Sequence, residues 1–339
     1  MQILPKLTCM ESNNSQLLFF QHIKSILPEH ISFVDEVADL LNISNDSAYR
    51  RIRGEKHISL DEMQKLSNHY KISIDQFLSI QSDSYIFTGE LAGPGEYVFE
   101  KWLDNVLRQL TFINSFKHKH LYYLAKDIPI MDQFMVPELL AFKSFLWRRS
   151  ILQYENMKGQ QFSLKEASPE HMEMGKKIVH AYLQIPTTEI WNLESINSTI
   201  RQIEFYREAN MFATEDDVKQ VYMGLLSMIN HVEQQAEKGV KFKLGESPVS
   251  GAAAYNLFWN DLVTADNTLL AELDLRRITF LNHSVINFIS TADIKFNSFM
   301  HDTMLNLVKR STQLSNVGEK DRYRFFNRIR DKMKLAARL

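Results

Sequence analysis

The chain has 339 residues, of which 45% are apolar and 24% charged, with a net charge of −2 and one cysteine. A chain of this length suggests about two domains, and it can bury a large core without the help of disulfide bonds or structural metal ions. The lone Cys9 excludes a disulfide framework and cysteine-based metal clusters. The near-neutral charge gives no general attraction to nucleic acid or membranes, so such a partner would have to be met by a local patch. Because no apolar run exceeds five residues and no secretory signal is visible, we expect a cytoplasmic protein with no membrane partner.

Residues 16–79 are predicted to form five short helices. The second has the most regular apolar stripe, with residues at i, i+3, i+4 and i+7: Val34, Val37, Ala38 and Leu41. Ser44 can cap the third helix. Ser59 and Glu62 have the spacing of a capping box for the fourth, whose apolar stripe is Leu60, Met63, Leu66 and Tyr70. Ser73 and Gln76 have the same capping-box spacing and predict the start of the fifth helix.

The segment 83–96 contains three glycines and Pro94 and is predicted to be a linker between a domain at 1–82 and the remainder at 97–339. Beyond it the periodicity is mainly helical, and the predicted helices are 97–120, 137–157, 169–184, 188–208 and 215–238, with others from about 293 and 319. Thr214 and Gly239 can cap the most regular of these. Strand-like runs allow a small β-meander near 254–282. The expected fold class is therefore mainly α.

The segment from Val34 to Arg53 predicts two short helices that meet at a tight turn, Asn42-Ile43-Ser44. Such a corner needs a small residue where the helices cross, which Ala38 supplies, and a turn residue that tolerates positive φ, which Asn42 supplies. The outer face of the second helix carries side chains that can hydrogen-bond base edges in a major groove: Asn45, Asp46, Tyr49, Arg50 and Arg53.

From Gln16 to Ser79 the chain resembles the helix-turn-helix domain of Cro-like and lambda-repressor-like (Xre-type) transcription regulators, including a closing Ile72–Leu78 similar to that family's ending. The resemblance implies a five-helix domain that binds double-stranded DNA, with a reader helix beginning at Ser44. It implies that Asn45, Asp46 and Arg50 face base edges and that Ser44 and Arg53 lie near phosphates, while Tyr49 can reach either. With Lys56 from the local basic cluster, the predicted DNA-binding residues are Ser44, Asn45, Asp46, Tyr49, Arg50, Arg53 and Lys56.

Two features depart from the family pattern. Arg51 stands where the family usually buries an isoleucine, so either the reader helix is slightly rotated or Arg51 reaches outward. Residues 1–82 hold eight Lys and Arg against ten Asp and Glu, so the domain is not basic overall, and its positive charge is concentrated in Arg50, Arg51, Arg53 and Lys56. We therefore expect modest affinity per domain, strong dependence on salt, and a homodimer.

The chain shows no convincing motif for chemistry. His118 and His120 fall on a predicted helix, where residues two apart point in different directions, and no nucleophile or zinc motif is present. We expect no enzyme, and no catalytic residue, metal or cofactor. The aromatic segment Tyr122–Trp147 can line a pocket for a small-molecule or peptide effector, although such residues are more often core. The basic segment 319–339 can be a docked helix, which we favour, or can reach DNA or a membrane.

The resulting interpretation is a dimeric DNA-binding transcription regulator with a helical C-terminal region for dimerisation or effector sensing. The alternative is a protein-interaction scaffold in which the helical C-terminal array binds a partner.

Overall fold

The computed structural model describes residues 15–27, 32–70, 72, 74, 85–89, 99–262, 266–274, 276–283 and 286–337. The chain divides into two compact units, 1–84 and 85–339, and the division falls inside the segment 83–96 that was predicted as a linker. Among the described helices, none is long and apolar enough to span a membrane.

The described part of the first unit contains four helices: α1 (Ser15–Ile26), α2 (Phe33–Leu41), α3 (Asn45–Ile52) and α4 (Leu60–Tyr70). They enclose a small apolar core of Phe19, Phe20, Ile23, Val37, Ala38, Leu41, Ala48 and Leu66. Leu60 was assigned to the apolar stripe of α4 but is 82% exposed, because it is the first residue of the helix and lies beyond the core. The predicted fifth helix lies almost entirely outside the described residues.

The second unit contains eight α-helices and eight strands among its described residues. The helices are α5 (Phe99–Asn114), α6 (Ile130–Phe134), α7 (Pro137–Leu146), α8 (Pro169–Tyr182), α9 (Asn197–Glu208), α10 (Glu215–Lys238), α11 (Ile294–Lys309) and α12 (Glu319–Ala337). The strands are β1 (Thr88–Gly89), β2 (Lys119–Ala125), β3 (Thr187–Trp191), β4 (Tyr255–Trp259), β5 (Thr268–Leu273), β6 (Arg276–His283), β7 (Asn287–Thr291) and β8 (Thr312–Gln313). A π-helical turn, Trp147–Ile151, continues α7, and short 3-10 turns follow at 155–157 and 164–166.

All eight strands belong to one mixed sheet in the order β1-β7-β6-β5-β2-β3-β4-β8. The central strands β2, β3 and β4 run parallel, and the remaining neighbours pair antiparallel. The expectation of a mainly α, or all-α, protein is therefore wrong. The predicted meander near 254–282 corresponds to β4, β5 and β6, which are three strands of a much larger sheet, and β4 pairs parallel with β3 rather than in a meander.

Strands β2 and β3 were missed because burial on both faces removes the alternation that identifies a strand. Every residue of β3 is buried, as is usual for parallel strands that are covered on both faces. In the sequence, the apolar residues of β3 fall in phase with the helical spacing of those in α9. The predicted helix 188–208 thus joined a strand to a helix. The predicted helix 97–120 overran similarly, since α5 ends at Asn114 and β2 begins at Lys119.

The two faces of the sheet are covered unequally. One face, with Leu121, Tyr123, Trp191 and Leu257, packs into a large core shared with α5–α10 and α12. The opposite face is covered by α11, where Met304 packs on residues of β2 and β3. Helix α12 is docked through buried side chains that include Phe325, Phe326, Ile329 and Met333, whereas Tyr323 of the same helix is exposed.

Candidate nucleic-acid interface

The turn between α2 and α3 has the geometry that its sequence predicts. Asn42 ends α2 in the left-handed conformation, with φ 56° and ψ 52°. The Asn42 amide donates to the carbonyl of Asp39 at 3.2 Å, and the Ile43 amide donates to that of Ala38 at 3.0 Å. This pair of hydrogen bonds is a Schellman motif, which reverses the chain within three residues and allows α3 to cross α2.

Ser44 is the N-cap of α3, as predicted. Its backbone is extended, and its hydroxyl accepts a hydrogen bond from the Ser47 amide at 3.3 Å. Ala48 is fully buried, so α3 packs on the core of the unit through this face. The opposite face of α3 is therefore left to solvent.

The predicted DNA-binding residues all lie at the surface of the first unit: Ser44, Asn45, Asp46, Tyr49, Arg50, Arg53 and Lys56. Five of them share the outer face of α3 at helical spacing. The Arg50 side chain has no partner among the residues that the structure describes. Its guanidinium keeps all its donors available, which bidentate recognition of a guanine edge requires.

Three of the five side chains on the outer face of α3 have partners among the described residues of the unit. Asn45 Nδ2 donates to Asp35 Oδ1 at 2.6 Å. The Arg53 guanidinium lies over the Tyr49 ring, 5.5 Å from its centroid, and pairs with Glu55 at 3.4 Å. These contacts are exposed and weak in water, so they can exchange for contacts with a nucleic acid.

The loop that carries Lys56 is held by a residue far away in the chain. The Gln16 side chain of α1 donates to the carbonyls of Arg51 at 2.7 Å and Lys56 at 2.8 Å, and accepts from the Ile58 amide at 3.1 Å. This clamp positions Lys56 beside the end of α3. Sequence reasoning missed Gln16, because no local pattern indicates a contact across about forty residues.

The structure places Arg51 in a way that differs from the outward orientation considered in the sequence analysis. Arg51 does not reach outward. Its side chain is buried and forms a two-pronged ion pair with Glu62 of α4, at 2.7 and 3.0 Å, and also donates to Ser47. Its charge is thus neutralised inside the unit, so the exposed positive charge beside α3 comes from Arg50, Arg53 and Lys56.

Glu62 has two roles in this arrangement. With Ser59 it forms the predicted capping box, in which the Glu62 amide donates to the Ser59 hydroxyl and the Ser59 amide donates back to the carboxylate. The hydrogen bond from Arg51 lowers the pKa of Glu62 below its ordinary value. The start of α4 and the inner face of α3 are therefore joined through one carboxylate.

The described residues contain no group of His, Cys, Asp and Glu that could hold a metal ion. The predicted histidine pair is not on a helix, since His120 lies in β2 and its ring contacts the Thr188 hydroxyl at 2.9 Å.

Residues 34–77 match the family model of the helix-turn-helix. No curated protein and no solved structure matches the chain. The match spans α2, the turn, α3 and α4, which are the elements that present the polar face described above. The N-terminal unit of this chain is therefore a helix-turn-helix domain of the Cro/C1, Xre-like type, the module of a DNA-binding regulator.

Proposed function

We propose that the chain is a sequence-specific transcription regulator whose helix α3 reads the major groove of double-stranded DNA. The observation that carries the proposal is the outer face of α3, where Arg50 is exposed without a partner among the described side chains. In this proposal Arg50 forms a bidentate contact with guanine and Asn45 one with adenine. Asp46 accepts from cytosine or favours the start of its own helix. Tyr49 contacts a base or a phosphate.

Ser44, Arg53 and Lys56 contact phosphates and fix the register of α3 in the groove. With Arg51 neutralised internally, few exposed cations remain per domain, and such a domain gains only a modest, salt-dependent affinity. A homodimer that binds two half-sites about one helical turn apart supplies the missing affinity and specificity. The C-terminal region, 97–339, provides dimerisation or effector sensing, and no reaction is assigned to it.

Binding-site selection from random duplexes with the full chain, followed by two substitutions, tests the proposal. Arg50→Ala should cost about 1–3 kcal/mol at the selected site and relax the preference at one base position. Lys56→Ala is the matched control. Loss of a phosphate contact should weaken binding to all DNA sequences alike, and it should reduce by about one the slope of the logarithm of the binding constant against the logarithm of salt concentration.

If Arg50→Ala left both affinity and preference unchanged, the groove-reading proposal would be wrong. A scaffold that binds a protein partner through its C-terminal array would show that result, since it has no use for Arg50.

A further inference from the structure

The second unit contains a cleft of about 940 Å³ at the carboxyl ends of two parallel strands. Lys126 and Asp127 follow β2, Asn192 follows β3, and all three line the cleft beside the start of α9. Open α/β sheets bind their ligands in this position, outside the carboxyl ends of parallel strands. The cleft lies entirely within residues 85–339.

A buried lysine without an acidic partner lines this cleft. Lys143 of α7 is 3% exposed, and its Nζ donates to the Thr199 hydroxyl at 3.0 Å and to the Gln202 side-chain oxygen at 2.5 Å. Both acceptors are neutral, and no described carboxylate forms an ion pair with Lys143. Burial lowers the pKa of Lys143 to about 8. A buried ammonium with only neutral acceptors gains from an anion that enters beside it.

The start of α9 adds a second positive feature to the same wall. The residue before it is Ile196, and no side chain caps this twelve-residue helix. The first amide groups of a helix carry partial positive charge and bind anions when no side chain caps them. Asn197 and Ser198 of this first turn line the cleft together with Arg201, which is exposed and forms no ion pair with any described residue.

The acidic side chains of the cleft offset only part of this charge. Asp266 pairs with Lys126 at 2.5 Å, and Glu194 pairs with Lys332 at 2.7 Å and also accepts from the Asn197 side chain at the start of α9. Asp127 lines the cleft and its charge raises the pKa of Lys143, but it forms no ion pair with that lysine. Neither Lys143 nor Arg201 therefore has a direct ion pair with a described carboxylate.

The remaining walls are suited to a flat apolar body. They carry a set of aromatic side chains, one of them on the π-helical turn that continues α7: Trp102, Tyr123, Trp147, Phe205, Tyr206 and Phe288. Gln133, which is 4% exposed, also lines the cleft, and its side-chain oxygen has no hydrogen-bond partner within the described structure. An unpaired buried oxygen of this kind accepts readily from a hydrogen-bond donor on a ligand.

We propose that this cleft binds a small molecule with a planar apolar body and one anionic group, a carboxylate or a phosphate. The anionic group lies against Lys143, Arg201 and the first turn of α9, and the body packs on the aromatic walls. This proposal names the ligand class for the sensing role proposed for residues 97–339, and its biological meaning rests on that proposed function. Binding itself is measured without DNA, so its failure is distinguishable from failure of groove reading.

The test is isothermal titration of the full chain with phenyl phosphate, and with phenol and inorganic phosphate as its two halves. Phenyl phosphate should bind one site per chain with a dissociation constant at or below about 1 mM. Phenol should bind at least about tenfold more weakly, because it lacks the anionic group. Absence of binding by phenyl phosphate up to about 10 mM would overturn the proposal.

Substitutions locate the binding. Arg201→Gln and Lys143→Met should each weaken the binding of phenyl phosphate by about tenfold or more. The controls are Lys176→Met and Arg310→Gln, at exposed positions outside the cleft, which should leave its affinity unchanged. Lys143 is buried and its substitution can perturb folding, so Arg201→Gln, checked by circular dichroism, decides the outcome. Binding that survives Arg201→Gln, or that is lost in Arg50→Ala, would place the anion elsewhere and refute the assignment.

Discussion

Arg51 occupies a core position of α3 because Glu62 accompanies it. A lone buried guanidinium would be costly, but two parallel hydrogen bonds to one carboxylate satisfy both charges. The hydrogen bond from Arg51 is the largest cause of the lowered pKa of Glu62. The folded state therefore favours the ionised carboxylate.

This pair predicts how the stability of the first unit depends on pH. Because the folded pKa of Glu62 lies below the ordinary 4.5, its stabilising contribution is fully present above that value and is lost as pH falls through the folded pKa. Hydrogen exchange of the α3 and α4 amides, corrected for intrinsic rates, should show protection falling more steeply in the native chain than in Glu62→Gln. Glu55→Gln, at an exposed carboxylate in the preceding loop, serves as control. Equal pH profiles for all three chains would contradict this.

Glu189 is the second charged residue whose burial has a structural explanation. It is fully buried in β3 and accepts hydrogen bonds from the hydroxyls of Tyr182 and Tyr255 and the indole of Trp191. Nearby, the Lys241 ammonium lies 3.1 Å from the centroid of the Tyr182 ring. One carboxylate thus joins a helix to two parallel strands.

Glu189→Gln should destabilise the second unit by about 3–5 kcal/mol, since an amide cannot accept from three donors and the buried Lys241 ammonium loses the negative charge that favours it most. Denaturant unfolding followed by tryptophan emission measures this directly, because all four tryptophans lie beyond residue 85. Glu246→Gln, at an exposed carboxylate, is the control. A loss below about 1 kcal/mol would show that the hydrogen bonds to Glu189 are not structural.

At the scale of elements, the ends of helices follow local rules. Thr214 caps α10 through the Asp217 amide at 3.1 Å, and Gly239 ends that helix with φ 65°, both as predicted. Asn42 ends α2 in the same left-handed region. These contacts join residues three to five apart, so the sequence pattern alone identifies them.

Substitution of Asn42 tests the turn that orients α3. Asn42→Ala should cost about 1 kcal/mol or more in stability, since alanine disfavours positive φ, while Asn42→Gly should be neutral or mildly stabilising. Thermal unfolding followed by far-ultraviolet circular dichroism compares the two variants. If alanine were tolerated as well as glycine, the left-handed geometry of the turn would not limit stability.

At the scale of the whole molecule, each of the two units has an apolar core of its own among the described residues. The first unit is built from short helices around eight buried apolar residues, and the second from a mixed sheet with helices on both faces. The small first unit carries the exposed cations beside α3, and the larger unit carries the cleft. In the proposed function, DNA recognition therefore belongs to the first unit and sensing to the second.

The proposed dimer predicts that the full chain sediments at twice 39.7 kDa. Deleting residues 90–339 should abolish dimerisation and weaken binding to a palindromic site, because a single domain holds few phosphate contacts. Sedimentation velocity and titration of a selected duplex measure the two effects. A truncated chain that bound the palindrome as tightly as the full chain would exclude a dimerising role for the C-terminal region.

The sequence by itself determined the helix-turn-helix, its turn residue, its caps and the polar outer face of α3. Each depends on contacts within about one helical turn, where side-chain type and spacing state the structure directly. Only the tertiary structure decided that 187–191 is a strand, that Arg51 points inward, and that Lys143 meets Thr199. Those outcomes depend on partners far apart in the chain, and residues buried on both faces lose the periodicity that would have revealed them.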